Sequence, residues 1–190
     1  VSEPAPQHNP WQTLATREVY SNPWIRVRED QVINPSGGRG IYGVVEHKNR
    51  AVGVIPVDDE GCTWLVGQYR YTQDLYEWEI PEGGCPEGES LLDCARRELL
   101  EETGIIARDY ALILEGLQLS NSVSNEKAYI YLARGLSFAE AQPEDTEKIA
   151  VQRLPLAEAI RMAAEGEIRD AMSVAGLLKV AHMGKSSVAQ

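Results

Sequence analysis

The chain has 190 residues, 43% of them hydrophobic, enough to bury one substantial core but short for two independent domains joined by a linker. Its 29 acidic against 18 basic side chains give a formal net charge of -11. Lys48, Arg50, Arg96, Arg97, Lys148 and Arg153 are scattered along the chain, with no basic stripe for a large nucleic acid, although a small anionic substrate held through a divalent cation stays compatible with this charge.

The first dozen residues, with Pro4, Pro6 and Pro10, predict a loose tail. Residues 17–34 carry Val19, Tyr20, Trp24, Ile25, Val27, Val32 and Ile33 and predict strands interrupted at Asn22-Pro23. A Pro-Ser-Gly-Gly turn at 35–38 leads to a strand over 41–46. Residues 51–57 and 63–69 flank Asp58-Asp59-Glu60-Gly61, a turn that predicts a β-hairpin. The period changes over 88–104, where Leu91, Leu92, Ala95, Leu99 and Leu100 recur at helical spacing between flanking glycines. Apolar runs at 110–117 and 128–133, an acidic loop around Glu144-Asp145-Thr146-Glu147 and a strand over 149–154 follow. Two terminal helices are expected over 156–164 and 170–182, with Pro155 at the first start and Gly166 between them. This order predicts an α+β fold with a mixed β-sheet.

Cys62, Cys85 and Cys94 form an odd set without a CxxC pair, which fits reduced thiols better than a disulfide framework or a zinc site. His8, His47 and His182 make no ligand pair at helical spacing. No long apolar run and no secretory leader is visible, so a soluble cytoplasmic protein without membrane contact is expected.

The chemistry concentrates in the predicted helix. Glu98 and Glu102 are four residues apart and Glu101 is three from Glu98, so the carboxylates gather along one edge of the helix, beside its apolar stripe. Like charges at this spacing each cost a few tenths of a kcal/mol, and carboxylates near a helix C-terminus oppose the macrodipole. An acidic surface helix is the plain reading of such a string alone. A hard divalent cation with oxygen ligands offsets the repulsion, and magnesium suits one or two carboxylates plus waters and phosphates.

The whole stretch, Gly83, Glu89 and then Arg97-Glu98-Leu99-Leu100-Glu101-Glu102-Thr103-Gly104-Ile105, resembles the complete signature of the Nudix hydrolases. That resemblance implies an α/β/α sandwich in which Gly83 begins the loop entering the helix. It implies Glu98, Glu102, the carbonyl of Glu82 and, as an additional ligand or water-positioning group, Glu101 around Mg2+ or Mn2+. Arg97 would orient the carboxylates, as its i,i+4 relation to Glu101 permits, and Glu89 would brace loop and helix.

Val66-Gly67-Gln68-Tyr69-Arg70 and Tyr76-Glu77-Trp78-Glu79-Ile80-Pro81-Glu82-Gly83 are similar to the ADP-ribose and nucleoside-diphosphate-sugar pyrophosphatase branch. The branch implies that Arg70 grips diphosphate, that Glu79 lies on the substrate side, and that Glu147, with Asp145 as second choice, is the catalytic base. Trp24, Tyr76 and Trp78 are aromatic candidates for stacking on a base. The relatives imply a homodimer that exchanges N-terminal strands, with residues 1–45 as the tail and dimerising strands and 46–190 as the hydrolase domain. Ser120 stands where many ADP-ribose pyrophosphatases carry proline, which leaves hexose nucleotides such as GDP-mannose or ADP-glucose open alongside ADP-ribose. The expected activity is hydrolysis of a nucleotide sugar to nucleoside monophosphate and sugar phosphate. A nucleoside triphosphate pyrophosphohydrolase and a catalytically silent nucleotide-binding module are the alternatives.

Overall fold

The computed structural model describes residues 8–139 and 148–186. They fall into two compact units, one of Val1–Lys48 with Ser120–Glu126, the other of Asn49–Leu119 with Lys127–Gln190.

The first unit is an antiparallel sheet in the order β1 (Gln12–Ser21), β2 (Ile25–Ile33), β3 (Arg39–His47). The break expected at Asn22-Pro23 is the first turn, and the Asn22 Oδ1 closes it by accepting from the amides of Trp24 (2.9 Å) and Ile25 (2.7 Å). Asn34 does the same for the second turn, accepting from Ser36 (3.0 Å) and Gly38 (2.9 Å), while Gly37 takes the φ of 84° that a side chain would resist. The segment Ser120–Glu126 is laced to β3. Val45 donates to the Val123 carbonyl at 2.8 Å, Asn125 donates to the Val45 carbonyl at 3.2 Å, and the Asn125 Oδ1 accepts from the His47 amide at 2.8 Å.

The second unit runs β4 (Arg50–Pro56), β5 (Cys62–Arg70), β6 (Leu75–Glu79), β7 (Glu82–Cys85), α1 (Leu91–Thr103), β8 (Ile105–Gln118), β9 (Lys127–Phe138), β10 (Ala150–Pro155), α2 (Leu156–Glu165) and α3 (Ala171–Ser186). A mixed sheet has the order β7-β4-β9-β8, with β4 and β9 parallel, and a second sheet has the order β10-β5-β6. One core cluster joins Val52, Val54, Tyr131 and Ala133 to Cys94, Ala95 and Leu99 of α1. Another joins Ile55, Ile80 and Ile130 to Ala159 and Ala163 of α2 and Met172 and Leu177 of α3. Sheet residues of alternate parity thus serve helices on opposite sides, which makes the α+β layering.

The helix boundaries follow their chemistry. Ser90 caps α1 by accepting from the Asp93 amide at 3.1 Å, and Gly104 ends it in the left-handed conformation, its N–H returning to the Leu100 carbonyl. The expected hairpin across 58–61 does not form. The turn is there, with the Asp58 Oδ1 accepting from Glu60 (3.0 Å) and Cys62 (2.8 Å), but β4 and β5 share only the bridge of Val57 with Thr63. Both edges of β4 are already taken by β7 and β9, so β5 enters the other sheet between β10 and β6. Among the described residues no helix is long and apolar enough to cross a membrane.

Candidate active site

The chain leaves one sheet at β6 and enters the other at β7 through Ile80-Pro81, and three backbone polar groups of that crossover are claimed by three different elements. The Ile80 amide donates to the buried Ser173 Oγ of α3 at 2.9 Å. Pro81 has no N–H to satisfy, and its carbonyl accepts from the Val54 amide of β4 at 2.8 Å. The Glu82 amide donates to Glu102 Oε2 of α1 at 2.9 Å. The crossover into β7 is therefore tied to α3, β4 and α1 at once.

Gly83 comes next, and glycine is required there by space. A Cβ on Gly83 would lie 2.2 Å from the Glu98 Cδ and 2.3 Å from each of its carboxylate oxygens. Glu98 and Glu102 are both buried, at 8% and 2% exposure. Arg97 organises their surroundings. Its Nη1 donates to Glu98 (2.7 Å) and Glu101 (3.0 Å), while its Nε and Nη2 clasp the Glu89 carboxylate at 3.0 and 2.9 Å, and Nη2 reaches the Gly84 carbonyl at 3.0 Å. Hydrogen bonding to Glu89 raises the Arg97 pKa and lowers that of Glu89, so both stay charged. The bracing role expected of Glu89 has its physical basis in this clasp.

The second group centres on Arg70. Its guanidinium binds both carboxylate oxygens of the buried Glu79 and donates to Glu82 Oε1 at 3.1 Å. Cross-strand register puts Arg70, Glu77 and Glu79 on one face of the β5–β6 pair and Tyr76 and Trp78 on the other. Trp78 packs against the core and meets Tyr76 edge-on at 5.9 Å between ring centroids. Arg70 and Glu79 are thus brought together, and Trp78 is not brought to them. Trp24 lies in the first unit and is 68% exposed. Glu147 and Asp145 lie outside the described residues.

Glu82 links the two groups, its amide to Glu102 and its side chain to Arg70. Burial raises the Glu82 pKa well above the usual carboxylate range, and repulsion from Asp170, Glu79 and Glu102 adds to the rise against the opposing pull of Arg70. Its Oε2 is buried without a hydrogen-bond partner. Asp170, which caps α3 by accepting from the Ser173 amide at 2.6 Å, is a member of this charged group that sequence reasoning missed. Its sequence signal is that of an ordinary helix cap, and 88 positions separate it from Glu82.

The residues present suit a hard divalent cation. Glu98, Glu102 and the Glu82 carbonyl are all oxygen donors, and two buried carboxylates near one helix end are a costly arrangement without a compensating charge. The gap over Gly83 that the Glu98 carboxylate fills keeps one of them pressed against the loop backbone.

Comparison with known proteins agrees with this geometry. Residues 47–175 match the NUDIX domain and residues 11–45 match the nucleoside diphosphate sugar hydrolase N-terminal domain. The ADP-ribose pyrophosphatase of Mycobacterium tuberculosis is 34% identical over 174 residues, covering 90% of this chain and 83% of that protein. The ADP-ribose pyrophosphatase of Bacillus subtilis is 31% identical over 161 residues, covering 84% and 86%. The crystal structure of an ADP compounds hydrolase superposes with a TM-score of 0.85 over 96% of this chain and 98% of that one, at 23% identity, and so shares the fold. Nudix hydrolases work with a divalent metal ion. With the signature helix, the glycine beneath its first glutamate and these matches in hand, the chain belongs to the Nudix hydrolases, in their ADP-ribose pyrophosphatase-like branch.

Proposed function

We propose that this pyrophosphatase is a magnesium-dependent enzyme that cleaves the diphosphate of a nucleoside diphosphate sugar into nucleoside monophosphate and sugar phosphate. ADP-ribose, GDP-mannose and ADP-glucose are the substrates to test first. The observation that carries the reading is Glu82, which ties the carboxylate pair Glu98 and Glu102 to the Arg70 guanidinium. Acidic oxygens for a cation thereby stand beside a fork-shaped donor for phosphate oxygens.

Glu98, Glu102 and the Glu82 carbonyl would hold Mg2+, with Mn2+ as a substitute and Glu101 as a further ligand or water-positioning group. When bound, the cation supplies charge neutralisation at the phosphoryl oxygens and a more acidic water. Arg97 keeps the Glu98 and Glu101 carboxylates in one orientation through paired donors. Arg70, already held by Glu79, presents its guanidinium to the diphosphate. Glu147 takes the proton of the attacking water in this proposal, with Asp145 as the second candidate.

We further propose a homodimer built through the N-terminal sheet. Its support is the set of large apolar side chains that the first unit leaves exposed, among them Val19 (51%), Tyr20 (54%), Trp24 (68%) and Ile41 (64%). Trp24 would then serve a base at its own or the partner's site. The three cysteines, none of them in a disulfide, suit a reducing cytoplasm.

A substrate panel followed by phosphorus NMR tests the function. Nucleoside monophosphate and sugar phosphate, formed only with magnesium, are the expected products. Pyrophosphate release from nucleoside triphosphates in preference to any sugar nucleotide would replace the proposal with triphosphate hydrolysis. Light scattering at twice the chain mass of 21.0 kDa is expected for the dimer, and a monomer would remove it.

A further inference from the structure

Behind the Arg97 clasp lies a second donor cluster, which shares Glu89 with the hydrolytic site and adds two thiols that the reaction does not use. Cys85 of β7, Cys94 of α1 and Glu89 between them place two thiol sulfurs and a carboxylate oxygen within 4.8 Å of one another. Both thiols are fully buried, and the Cys85 thiol donates to the Glu89 carbonyl at 3.6 Å. Neighbouring donors around a tetrahedral zinc stand about 3.5–3.8 Å apart, given Zn–S near 2.3 Å. The three atoms therefore need only small shifts to share one ion.

The surroundings suit the product of such binding. A divalent ion with two thiolates and one carboxylate carries a net charge of -1, and that charge needs donors around it. Arg50 Nη2 already donates to Cys85 Sγ at 3.1 Å, and Arg97 Nη2 to Cys94 Sγ at 3.5 Å. Both guanidiniums aim N–H groups at sulfur, as the outer partners of metal thiolates do.

We infer that Cys85, Cys94 and Glu89 form a site for a thiophilic divalent ion, zinc or cadmium in class, set behind the loop of the hydrolytic site. On binding, each thiol gives up its proton to bulk water and two metal–sulfur bonds form, Glu89 adds an oxygen, and a water takes the fourth position. No electrons change hands. Occupation draws Glu89 away from Arg97, which also holds Glu98 and Glu101, so the bound ion lowers hydrolytic turnover. Magnesium, with its preference for oxygen, leaves the site alone.

Another trio, Asp58, Glu60 and Cys62, has the same donor spacing. Its two carboxylates are bound by Arg153, each at 2.6 Å, and it offers a single sulfur, so it serves as the internal control.

The test is a cadmium titration of the full-length reduced chain without substrate, followed by the ultraviolet thiolate-to-metal charge-transfer band. One equivalent is expected to saturate the band. The band is lost in Cys85→Ser and in Cys94→Ser, and kept in Cys62→Ser. Arg50→Gln retains it with binding weakened by roughly 10–100-fold. A wild-type titration without a saturable band overturns the site, as does a band that survives Cys85→Ser and disappears with Cys62→Ser. Should a serine variant fail to fold, X-ray absorption of the zinc-loaded wild type decides instead. Two sulfur neighbours support the site, and all-oxygen coordination overturns it. Because no substrate is present, the result is independent of which nucleotide the enzyme cleaves.

Discussion

The carboxylate of Glu98 rests directly over Gly83, in the space where any other residue at that position would put its Cβ, 2.2 Å from the Glu98 Cδ. Gly83→Ala is therefore expected to displace the carboxylate while leaving the helix and its caps in place. A misplacement of about 1 Å at a reacting centre lowers turnover on the order of 10²-fold. Steady-state kinetics beside a thermal melt checks this. Full activity in a folded variant would contradict the close approach.

Glu98→Gln and Glu102→Gln keep the shape and the acceptor oxygen of each side chain and remove one negative charge. Each is expected to lower kcat by roughly 10²–10³-fold, the scale for losing one preorganised electrostatic contact. In metal-free buffer Glu102→Gln should not lower the melting temperature, because it relieves repulsion with Glu82 and along α1, whereas in Glu98→Gln that relief is offset by the weakened pair with Arg97. Unchanged turnover in both would sink the assignment of these residues to the cation.

Arg70 is held by Glu79 and Glu82 through its Nε and Nη2, and lysine keeps the charge offered to a diphosphate without the fork that fixes it. Arg70→Lys is expected to cost about 1.5–3 kcal/mol in kcat/KM, roughly 10- to 150-fold. The loss should fall mainly on KM, since Arg70 binds Glu79 and Glu82 and lies apart from the Arg97 network. A fall confined to kcat would place Arg70 in the chemical step instead.

The N-terminal sheet carries its own acid sensitivity. The Thr16 hydroxyl, donating to Asp30 at 2.8 Å, and then Arg28 hold the Asp30 carboxyl below its ordinary value of 3.8, and Arg26 followed by Arg28 holds Glu46 below 4.5. A folded-state pKa below the unfolded one stabilises above the unfolded value and is lost as pH falls through the folded one. Hydrogen exchange of β2 amides should accordingly show protection that is steady near neutrality and declines below about pH 4.5. Thr16→Val is expected to lower the neutral protection and flatten the decline. An unaltered pH slope in that variant would remove Asp30 from the account.

Much of the site is legible in the order of residues because it is local. Arg97 and Glu101 are four apart on α1, so helical spacing alone brings them together, and Glu89 reaches the same guanidinium from the turn just before the Ser90 cap. Ser90 and Gly104 likewise mark both ends of α1 by their own chemistry. What escapes is set by distant neighbours. The turn at Asp58 has every local mark of a hairpin, yet pairing stops at Val57 and Thr63 because the edge of β4 that faces the turn is taken by Pro81, whose carbonyl accepts from the Val54 amide, and by β7. Ser173 and Asp170 escape for the same reason, since nothing near them in sequence announces that Ile80 and Glu82 are their neighbours. Cys85 and Cys94 lack the spacing of a familiar metal motif, and a strand and a helix packed face to face bring them together.

The segment Ser120–Glu126 holds to β3 mostly through main-chain groups, the amides and carbonyls of Val45, Val123 and Asn125. Its path therefore does not depend on the identities of Ser122, Val123 or Ser124, whose side chains can be exchanged while the rail beneath them stays put. Proline is the exception. At Asn125 it removes the N–H that holds the Val45 carbonyl, together with the side-chain oxygen that accepts from the His47 amide, so Asn125 is the fixed point of a segment whose other side chains are less constrained.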